Sequence, residues 1–253
     1  MSLFVVDWHS RFSQQARWTQ DLRRYIYAQV GVENVQRVLD VGCGTGALEV
    51  ELTECTQALI YGLDINREHL TQAVCHAPKV YYTEGNAHAL PYPSAIFDLT
   101  QCHFLLLWVD NPEHVVAEMT RVTRPDGTVL ALAEPDYGGR IDYPPELAKL
   151  GELQQESLRK QGADPQIGRR LAMIFSRGGL ELIETGILGA QWKHPPTPEE
   201  QALEWMVLQS DLGNYIPPHE INKLRTLDKT AWARSERVLF VPTFYAWGRV
   251  PNR

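Results

Sequence analysis

VLDVGCGTG, residues 38–46, is the stretch of the chain that decides its fold. An apolar run leads into three alternating glycines, Gly42, Gly44 and Gly46, and the acidic residue Asp40 stands two positions before the first of them. Glycine lets the backbone take positive φ angles and lie against a ligand where a side chain would collide. The pattern predicts a strand-to-helix corner that binds a nucleotide-type ligand.

The glycine spacing by itself fits two kinds of cofactor. Gly42, Gly44 and Ala47 satisfy the relaxed dinucleotide fingerprint GxGxxG/A, whereas Gly46 as the third glycine gives GxGxG. A carboxylate such as Asp40 has no use beside a pyrophosphate, but it can hold an ammonium group. The segment resembles motif I of the class I S-adenosylmethionine (SAM)-dependent methyltransferases. This resemblance implies SAM as the cofactor and S-adenosylhomocysteine (SAH) as its product.

Further candidate cofactor residues follow the next predicted strands. Asp64 lies where an acidic side chain can accept hydrogen bonds from both hydroxyls of a ribose, although it could instead cap the following helix. In EGNAHALPYP, residues 84–93, the resemblance implies an adenine loop; Asn86 replaces the more usual Asp there, and a plain turn is the alternative. The residues expected to bind the cofactor are Arg17, Asp40, Gly42, Cys43, Gly44, Thr45, Gly46, Asp64, Ile65, Asn66, Asn86, Ala87 and Gln101.

His103 is the candidate catalytic residue. It stands two positions after Gln101, at the end of the fourth predicted strand. A histidine titrates near neutral pH and can act as a general base; a hydrogen-bonded core residue is the alternative. Glu134 and Asp136 are further candidates for a base or a substrate contact, with helix caps or turn acceptors as the alternative. The sequence carries no local set of metal ligands, so we expect no metal.

Strand-like and helical segments alternate along the chain. The predicted strands are 37–41, 59–65, 80–84, 97–103 and 128–133, followed by 180–188 and 238–250, and a helix over 12–30 precedes them all. Such alternation predicts a doubly wound parallel sheet. Two late strands match the class I methyltransferase plan, in which the last strand is antiparallel. We expect an α/β, Rossmann-like fold with a seven-stranded, mostly parallel sheet, helices on both faces and an extra helical lid.

The size of the chain predicts a single class I methyltransferase domain over residues 1–253. Its expected parts are an N-terminal helical cover (1–34), a SAM-binding core (35–135) and a C-terminal part (136–253) with lid helices at about 144–162 and 197–235. By position, the lid should fold over the carboxyl ends of the strands, where open α/β sheets bind ligands.

Composition narrows the classes of partner. A formal net charge of −7 gives no basic footprint for nucleic acid. The four cysteines are widely spaced, the first residues do not form a leader, and no apolar run reaches the length of a membrane span. We therefore expect a soluble, cytoplasmic protein with free thiols, no bound nucleic acid and no membrane span. The motifs do not specify an oligomeric state.

The resemblance is to the ubiquinone- and menaquinone-biosynthesis type of methyltransferase, which acts mostly on small molecules. It implies an enzyme of the EC 2.1.1 type that moves a methyl group from SAM to an O, N or C nucleophile of a small, partly apolar acceptor. One alternative is a SAM-binding regulatory or scaffold protein without turnover. Another, less favoured, is an NAD(P)-dependent oxidoreductase that uses Ala47 as its third fingerprint position.

Overall fold

The computed structural model describes residues 7–188 and 195–252. Its strands are β1 (Arg37–Val41), β2 (Leu59–Asp64), β3 (Tyr81–Glu84), β4 (Phe97–Cys102), β5 (Thr123–Pro135), β6 (Ile141–Tyr143), β7 (Glu181–Ile187), β8 (Val238–Phe240) and β9 (Thr243–Arg249). Its α-helices are α1 (Trp8–Trp18), α2 (Gln20–Val30), α3 (Ala47–Cys55), α4 (Arg67–His76), α5 (Pro112–Val122), α6 (Ala148–Lys160), α7 (Leu171–Arg177), α8 (Pro198–Leu212) and α9 (Pro218–Ala233).

Within these residues, seven strands form one sheet in the order β3-β2-β1-β4-β5-β9-β7. The strands from β3 to β5 pair in parallel, and β9 is antiparallel to its two neighbours, β5 and β7. The predicted Rossmann-like sheet with an antiparallel last strand is confirmed. Strand order reverses between β1 and β4, and the carboxyl ends of strands at such a point form the ligand crevice of open α/β sheets.

Helices cover both faces of the sheet, because side chains alternate between the faces along each buried strand. On β1, Leu39 belongs to a core cluster with α5 and α7, whereas Val38 belongs to a second cluster with α2 and α3. The helices α6, α8 and α9 share a third cluster that includes Leu150, Trp205 and Leu224. The expected lid helices therefore have a core of their own.

The helix predicted over 12–30 is wrong in its continuity, because the chain forms α1 and α2 with a break at Thr19. Thr19 has φ −109° and ψ 6°, outside the helical region. Its hydroxyl lies 2.9 Å from His103 Nε2 and accepts a hydrogen bond from the Arg23 guanidinium. The bonds to Arg23, one turn along α2, and to the distant His103 hold the threonine at the junction, and periodicity alone cannot reveal them.

The last strand predicted over 238–250 is also divided in the structure. β8 pairs with β6 in a separate two-stranded sheet, and β9 joins the main sheet. Pro242 lies between them; proline has no N–H to donate to a ladder, and here its carbonyl accepts from Asp136 N at 2.7 Å. The helix predicted over 144–162 begins as the 3₁₀ turn Pro145–Leu147.

The small sheet is tied to the lid by a buried chain of charges. Asp142 lies 2.6 Å from Arg140 and 2.7 Å from Arg237, and Arg237 also pairs with Asp228 at 2.6 Å. Trp205 donates its indole N–H to Asp228 at 2.9 Å. Because each charge has an opposite partner, the cluster can remain ionised in the interior.

We expect Arg237→Met to lower the free energy of unfolding by about 3–5 kcal/mol, because it leaves buried carboxylates with fewer partners. Urea unfolding would measure the change, with Arg234→Met at the exposed end of α9 as the matched control. Equal losses of stability in the two variants would contradict the structural role given to the charge cluster.

Candidate active site

A cavity of about 440 Å³ opens at the carboxyl ends of β1, β2 and β4. Its volume lies within the usual range for ligand pockets, roughly 300–1,000 Å³. The structure brings together there several residues predicted from sequence: Asp40, Gly42, Cys43, Gly44, Asp64, Ile65, Asn66 and His103. Parts of the chain far apart in sequence thus meet in one crevice.

The glycine loop presents main chain, without side chains of its own, where it lines the cavity. Gly42, Gly44 and Gly46 have φ angles of +77°, +55° and +81°, which L side chains rarely adopt. A Cβ atom on Gly42 would lie 2.8 Å from Leu105 Cδ1, and one on Gly44 would lie 2.9 Å from Phe12 Cε2. Both the conformation and the space around the loop require glycine at these positions.

Asp64 fixes this loop from the end of β2. One carboxylate oxygen accepts from Gly44 N at 2.8 Å, and the other accepts from Asn66 N at 2.8 Å. A carboxylate has about four acceptor sites, so Asp64 retains capacity for hydroxyl groups in the cavity. The residue that caps the following helix, α4, is Asn66 and not Asp64. Its side chain accepts from the backbone N–H groups of Glu68 and His69.

Asp40 is a buried acid with an unused acceptor. Its Oδ1 has no hydrogen-bond partner in the described part of the chain. Burial raises the pKa of Asp40 to about 7, and burial together with the neighbouring Asp40 charge raises the pKa of Glu49 well above its usual range. A cation beside Asp40 would favour its ionised form.

His103 lines the cavity with one ring nitrogen already fixed. Its Nε2 lies 2.9 Å from Thr19 Oγ1, while Nδ1 has no hydrogen bond to any residue in 7–188 or 195–252. Burial, with a smaller effect of the nearby Arg23 charge, lowers the pKa of His103 well below its ordinary value. The imidazole is therefore neutral at physiological pH. Thr19 is a site residue that sequence reasoning missed.

Several predicted cofactor residues lie outside the residues that line the cavity. Arg17 is exposed, with its guanidinium 3.7 Å from Glu200, and Arg11 is the α1 arginine that lines the cavity instead. Gln101 is fully buried beside Asp40 in the sheet and accepts from the Tyr27 hydroxyl at 2.9 Å.

Thr45, Gly46, Asn86 and Ala87 also lie away from the cavity lining. Thr45 is buried and bonds to His9 at 3.0 Å, and a Cβ on Gly46 would meet Ala73, so these residues pack the loop. Asn86 Oδ1 accepts from His88 N at 2.9 Å, which is the turn arrangement that the sequence left open. Burial raises the pKa of Cys43 well above its usual value, so it remains a thiol.

Glu134 and Asp136 do not line the cavity, and their carboxylates are bonded to other groups of the protein. The buried Glu134 carboxylate accepts from three successive backbone N–H groups of the loop after β4, those of Leu105, Leu106 and Leu107, at 3.0, 2.8 and 3.2 Å. Asp136 pairs with Arg169 at 2.5 Å. Glu134 therefore holds the loop that packs on the glycine turn.

The far end of the cavity is built by segments that sequence reasoning did not select. Its polar residues come from α1, from the turn after β5, from α6 and its end, and from α8: Arg11, Tyr137, Gln154, Gln161 and Asp211. They carry no local motif, since they become neighbours only when the lid folds. We call this set the acceptor end.

The described ranges contain no cluster of three or more His, Cys, Asp or Glu side chains arranged for a metal ion. None of the helices in those ranges has the length and apolar character needed to cross a bilayer.

Comparison with known proteins agrees with this geometry. The family described as a methyltransferase domain matches residues 39–131. A demethylmenaquinone methyltransferase of Renibacterium salmoninarum is 33% identical over 127 residues, covering 49% of this chain and 52% of that protein. The O-methyltransferase resE of Aspergillus sclerotiorum is 29% identical over 154 residues, covering 58% of each chain. The chain thus spans little more than half the length of these relatives.

Similarity of fold extends further than similarity of sequence. The crystal structure of a proposed methyltransferase from Bacillus halodurans C-125 has a TM-score of 0.63 at 15% identity, covering 95% of this chain and all of that one. At that identity the likeness concerns the fold alone. Residues 39–131 thus match a methyltransferase domain, and the fold resembles that of a proposed methyltransferase over nearly the whole chain.

Proposed function

We propose that the protein is an enzyme that moves a methyl group from SAM to an O, N or C nucleophile of a small molecule. The observation that carries this proposal is the bare glycine turn between the unpartnered Asp40 Oδ1 and the cavity-lining Asp64. The relatives named as methyltransferases support it, although each is matched over little more than half its length.

The residues present fit SAM as the cofactor. The orphaned oxygen of Asp40 suits an ammonium group, and the remaining acceptor sites of Asp64 suit the two hydroxyls of a ribose. Ile65 lines the cavity with 69% of its surface exposed, so it offers an apolar face to an adenine ring. When bound, SAM supplies a methyl group on a sulfonium leaving group.

The protein then has to hold the nucleophile in line and keep water out. Such positioning can lower a barrier by roughly 7–11 kcal/mol in favourable cases. Phe12 of α1 lies over Gly44, and Leu105 packs against Gly42. Trp8 and Trp108 also line the cavity, so aromatic and aliphatic side chains from both sides close it. Alignment and exclusion of water are thus supplied by α1 and by the loop after β4.

We assign the proton transfer to His103. Its ring is neutral, Thr19 fixes Nε2, and Nδ1 can accept the proton that a hydroxyl or amine nucleophile loses as it gains the methyl group. The low pKa of the ring makes the protonated form short-lived, so the proton must pass on to solvent or product. A tertiary amine nucleophile would not require this step, because it has no proton to lose.

The two alternative functions, an NAD(P)-dependent oxidoreductase and a SAM-binding regulatory protein, predict different cofactors. A dinucleotide would place its pyrophosphate beside Asp40, where like charges repel. A regulatory protein would bind SAM as an enzyme does, and only turnover would distinguish it. The antiparallel β9 and the motif match both favour the methyltransferase interpretation over the oxidoreductase.

Thermal unfolding with SAH and with NAD tests the proposal. SAH at about 100 times its dissociation constant should raise the melting temperature by about 5–10 °C, and NAD should not. Gly44→Ala should abolish the shift, because the added methyl group would lie 2.9 Å from Phe12 Cε2 and distort the turn. Gly31→Ala is the control, since Gly31 has a similar φ of +65° away from the cavity. Stabilisation by NAD but not by SAH would refute the proposal.

We expect the affinity for SAH to fall by roughly tenfold between pH 8 and pH 6. The pKa of Asp40 is raised to about 7 in the free protein, so its carboxyl is mostly ionised at pH 8 and mostly protonated at pH 6, and only the anion attracts ammonium. Calorimetry at several pH values would measure the change. Asp40→Asn should flatten the dependence, and a retained slope in that variant would exclude Asp40 as its source.

His103→Ala should lower kcat by about 10²- to 10⁴-fold for a hydroxyl acceptor, while the SAH dissociation constant changes by less than about threefold. Because the pKa of His103 lies well below its ordinary value, the wild-type rate should not show a histidine titration near pH 6.5. Transfer of labelled methyl groups would measure both kcat and its pH dependence. His219→Ala, which alters an exposed histidine of α9 away from the cavity lining, is the control, and equal rates in the two variants would leave His103 a structural residue.

A further inference from the structure

The acceptor end lies outside the region that defines the family. Arg11 comes from α1, Tyr137 from the turn after β5, Gln154 and Gln161 from α6 and its end, and Asp211 from α8, whereas the family match covers residues 39–131. Groups that bind SAM should be shared across the family, and groups that select the acceptor should differ. Selectivity for the acceptor is therefore to be sought in these five side chains.

Their charges do not suit an anionic acceptor. Arg11 is the one Lys or Arg among the described residues that line the cavity, and its guanidinium lies 2.6 Å from the Glu204 carboxylate. Arg140, behind it, is paired with Asp142 at 2.6 Å. A phosphate or carboxylate placed here would meet no uncompensated cation, while it would face the carboxyl group of Asp211.

Asp211 is held in place as a hydrogen-bond acceptor. Its Oδ2 accepts from Gln154 Nε2 at 3.0 Å, and its Oδ1 accepts from Gln161 Nε2 at 3.2 Å. Gln154 is itself fixed, because its Oε1 accepts from Arg140 at 2.5 Å. Each carboxylate oxygen retains a free lone pair. The two amides orient the carboxylate without using up its capacity to accept.

Tyr137 supplies the complementary donor. Its backbone N–H bonds to Pro165 O at 2.8 Å, but across the described ranges its hydroxyl has no hydrogen-bond partner, although it lines the cavity. Burial raises the pKa of Tyr137 despite the opposing effect of the Arg11 charge, so the group stays a neutral O–H. A polar group left open toward a cavity marks a contact for a ligand.

Resting on the proposed function, we infer that the acceptor is an uncharged ring compound with a hydroxyl group that is bound between Tyr137 and Asp211. The hydroxyl oxygen accepts from the tyrosine, and its proton is donated to the carboxylate. Apolar side chains also line the cavity and suit a ring: Leu107, Trp108, Leu158 and Val207. This hydroxyl anchors the acceptor, and the atom that is methylated lies at the His103 end.

Calorimetry on SAH-saturated protein with three naphthalene derivatives tests the inference. 2-Naphthol carries a hydroxyl, 2-methoxynaphthalene keeps only the oxygen acceptor, and 2-naphthoate carries an anion. Wild-type protein should bind 2-naphthol most tightly and 2-naphthoate least. Asp211→Asn should weaken 2-naphthol by about tenfold or more and change 2-methoxynaphthalene by less than about twofold. Tyr137→Phe should weaken both, because both offer an oxygen to its hydroxyl.

Glu156→Gln is the matched carboxylate control and should leave the affinity for all three compounds unchanged. Glu156 lies on the exposed side of α6 and pairs with Lys160. Tyr137→Phe removes a hydroxyl that has no hydrogen-bond partner among residues 7–188 and 195–252, so this variant should fold even if Asp211→Asn does not. Absence of 2-naphthol binding, a preference for 2-naphthoate, or unchanged 2-naphthol affinity in both variants would overturn the inference. In each case tight SAH binding would leave the proposed function intact, whereas failure of SAH to bind would remove both.

Discussion

The hydrogen bond from Gly44 N to the Asp64 carboxylate is the interaction on which the rest of the site depends. It joins the turn after β1 to the end of β2, and it holds a left-handed glycine conformation open toward the cavity. With the turn fixed, Leu105 and Phe12 can pack against its two glycines. One carboxylate thus shapes the cradle and keeps acceptor sites for a ligand.

Buried acids in this site differ in role according to their partners. Glu134 is satisfied by three backbone N–H groups and acts as a support for the loop after β4. Asp40 has an oxygen without a partner and a raised pKa, so its ionisation is tied to a cation. Asp211 is oriented by two amides at the far end. The same side-chain chemistry supports a loop at Glu134 and, in the proposed function, would serve as a cofactor contact at Asp40 and an acceptor contact at Asp211.

The core of the fold could be predicted from sequence because its signals are local. The glycine turn and the strands before and after it each occupy a few adjacent residues. The division of the chain into cover, core and lid stays a prediction. On α1 the sequence predicts Arg17 as a cofactor residue, whereas Arg11 lines the cavity. Both are arginines of one helix, and only tertiary packing distinguishes their positions.

The remaining parts of the site depend on contacts between distant segments. Thr19 meets His103, and Arg11 meets Glu204, only in the folded chain, where α1 and α8 lie against each other and beside the sheet. No spacing rule connects such pairs. Tyr137 and Asp211 are likewise distant in sequence and line one cavity only in the folded chain. For this reason the sequence predicts less about the acceptor than about the cofactor.

A crystal structure of the protein grown with SAH is the most direct measurement of the central claim. We predict both ribose hydroxyls within hydrogen-bond distance of Asp64 and the amino group of the ligand beside Asp40, with the acceptor end still open. SAH located elsewhere on the protein, or bound with its sugar away from Asp64, would contradict the account.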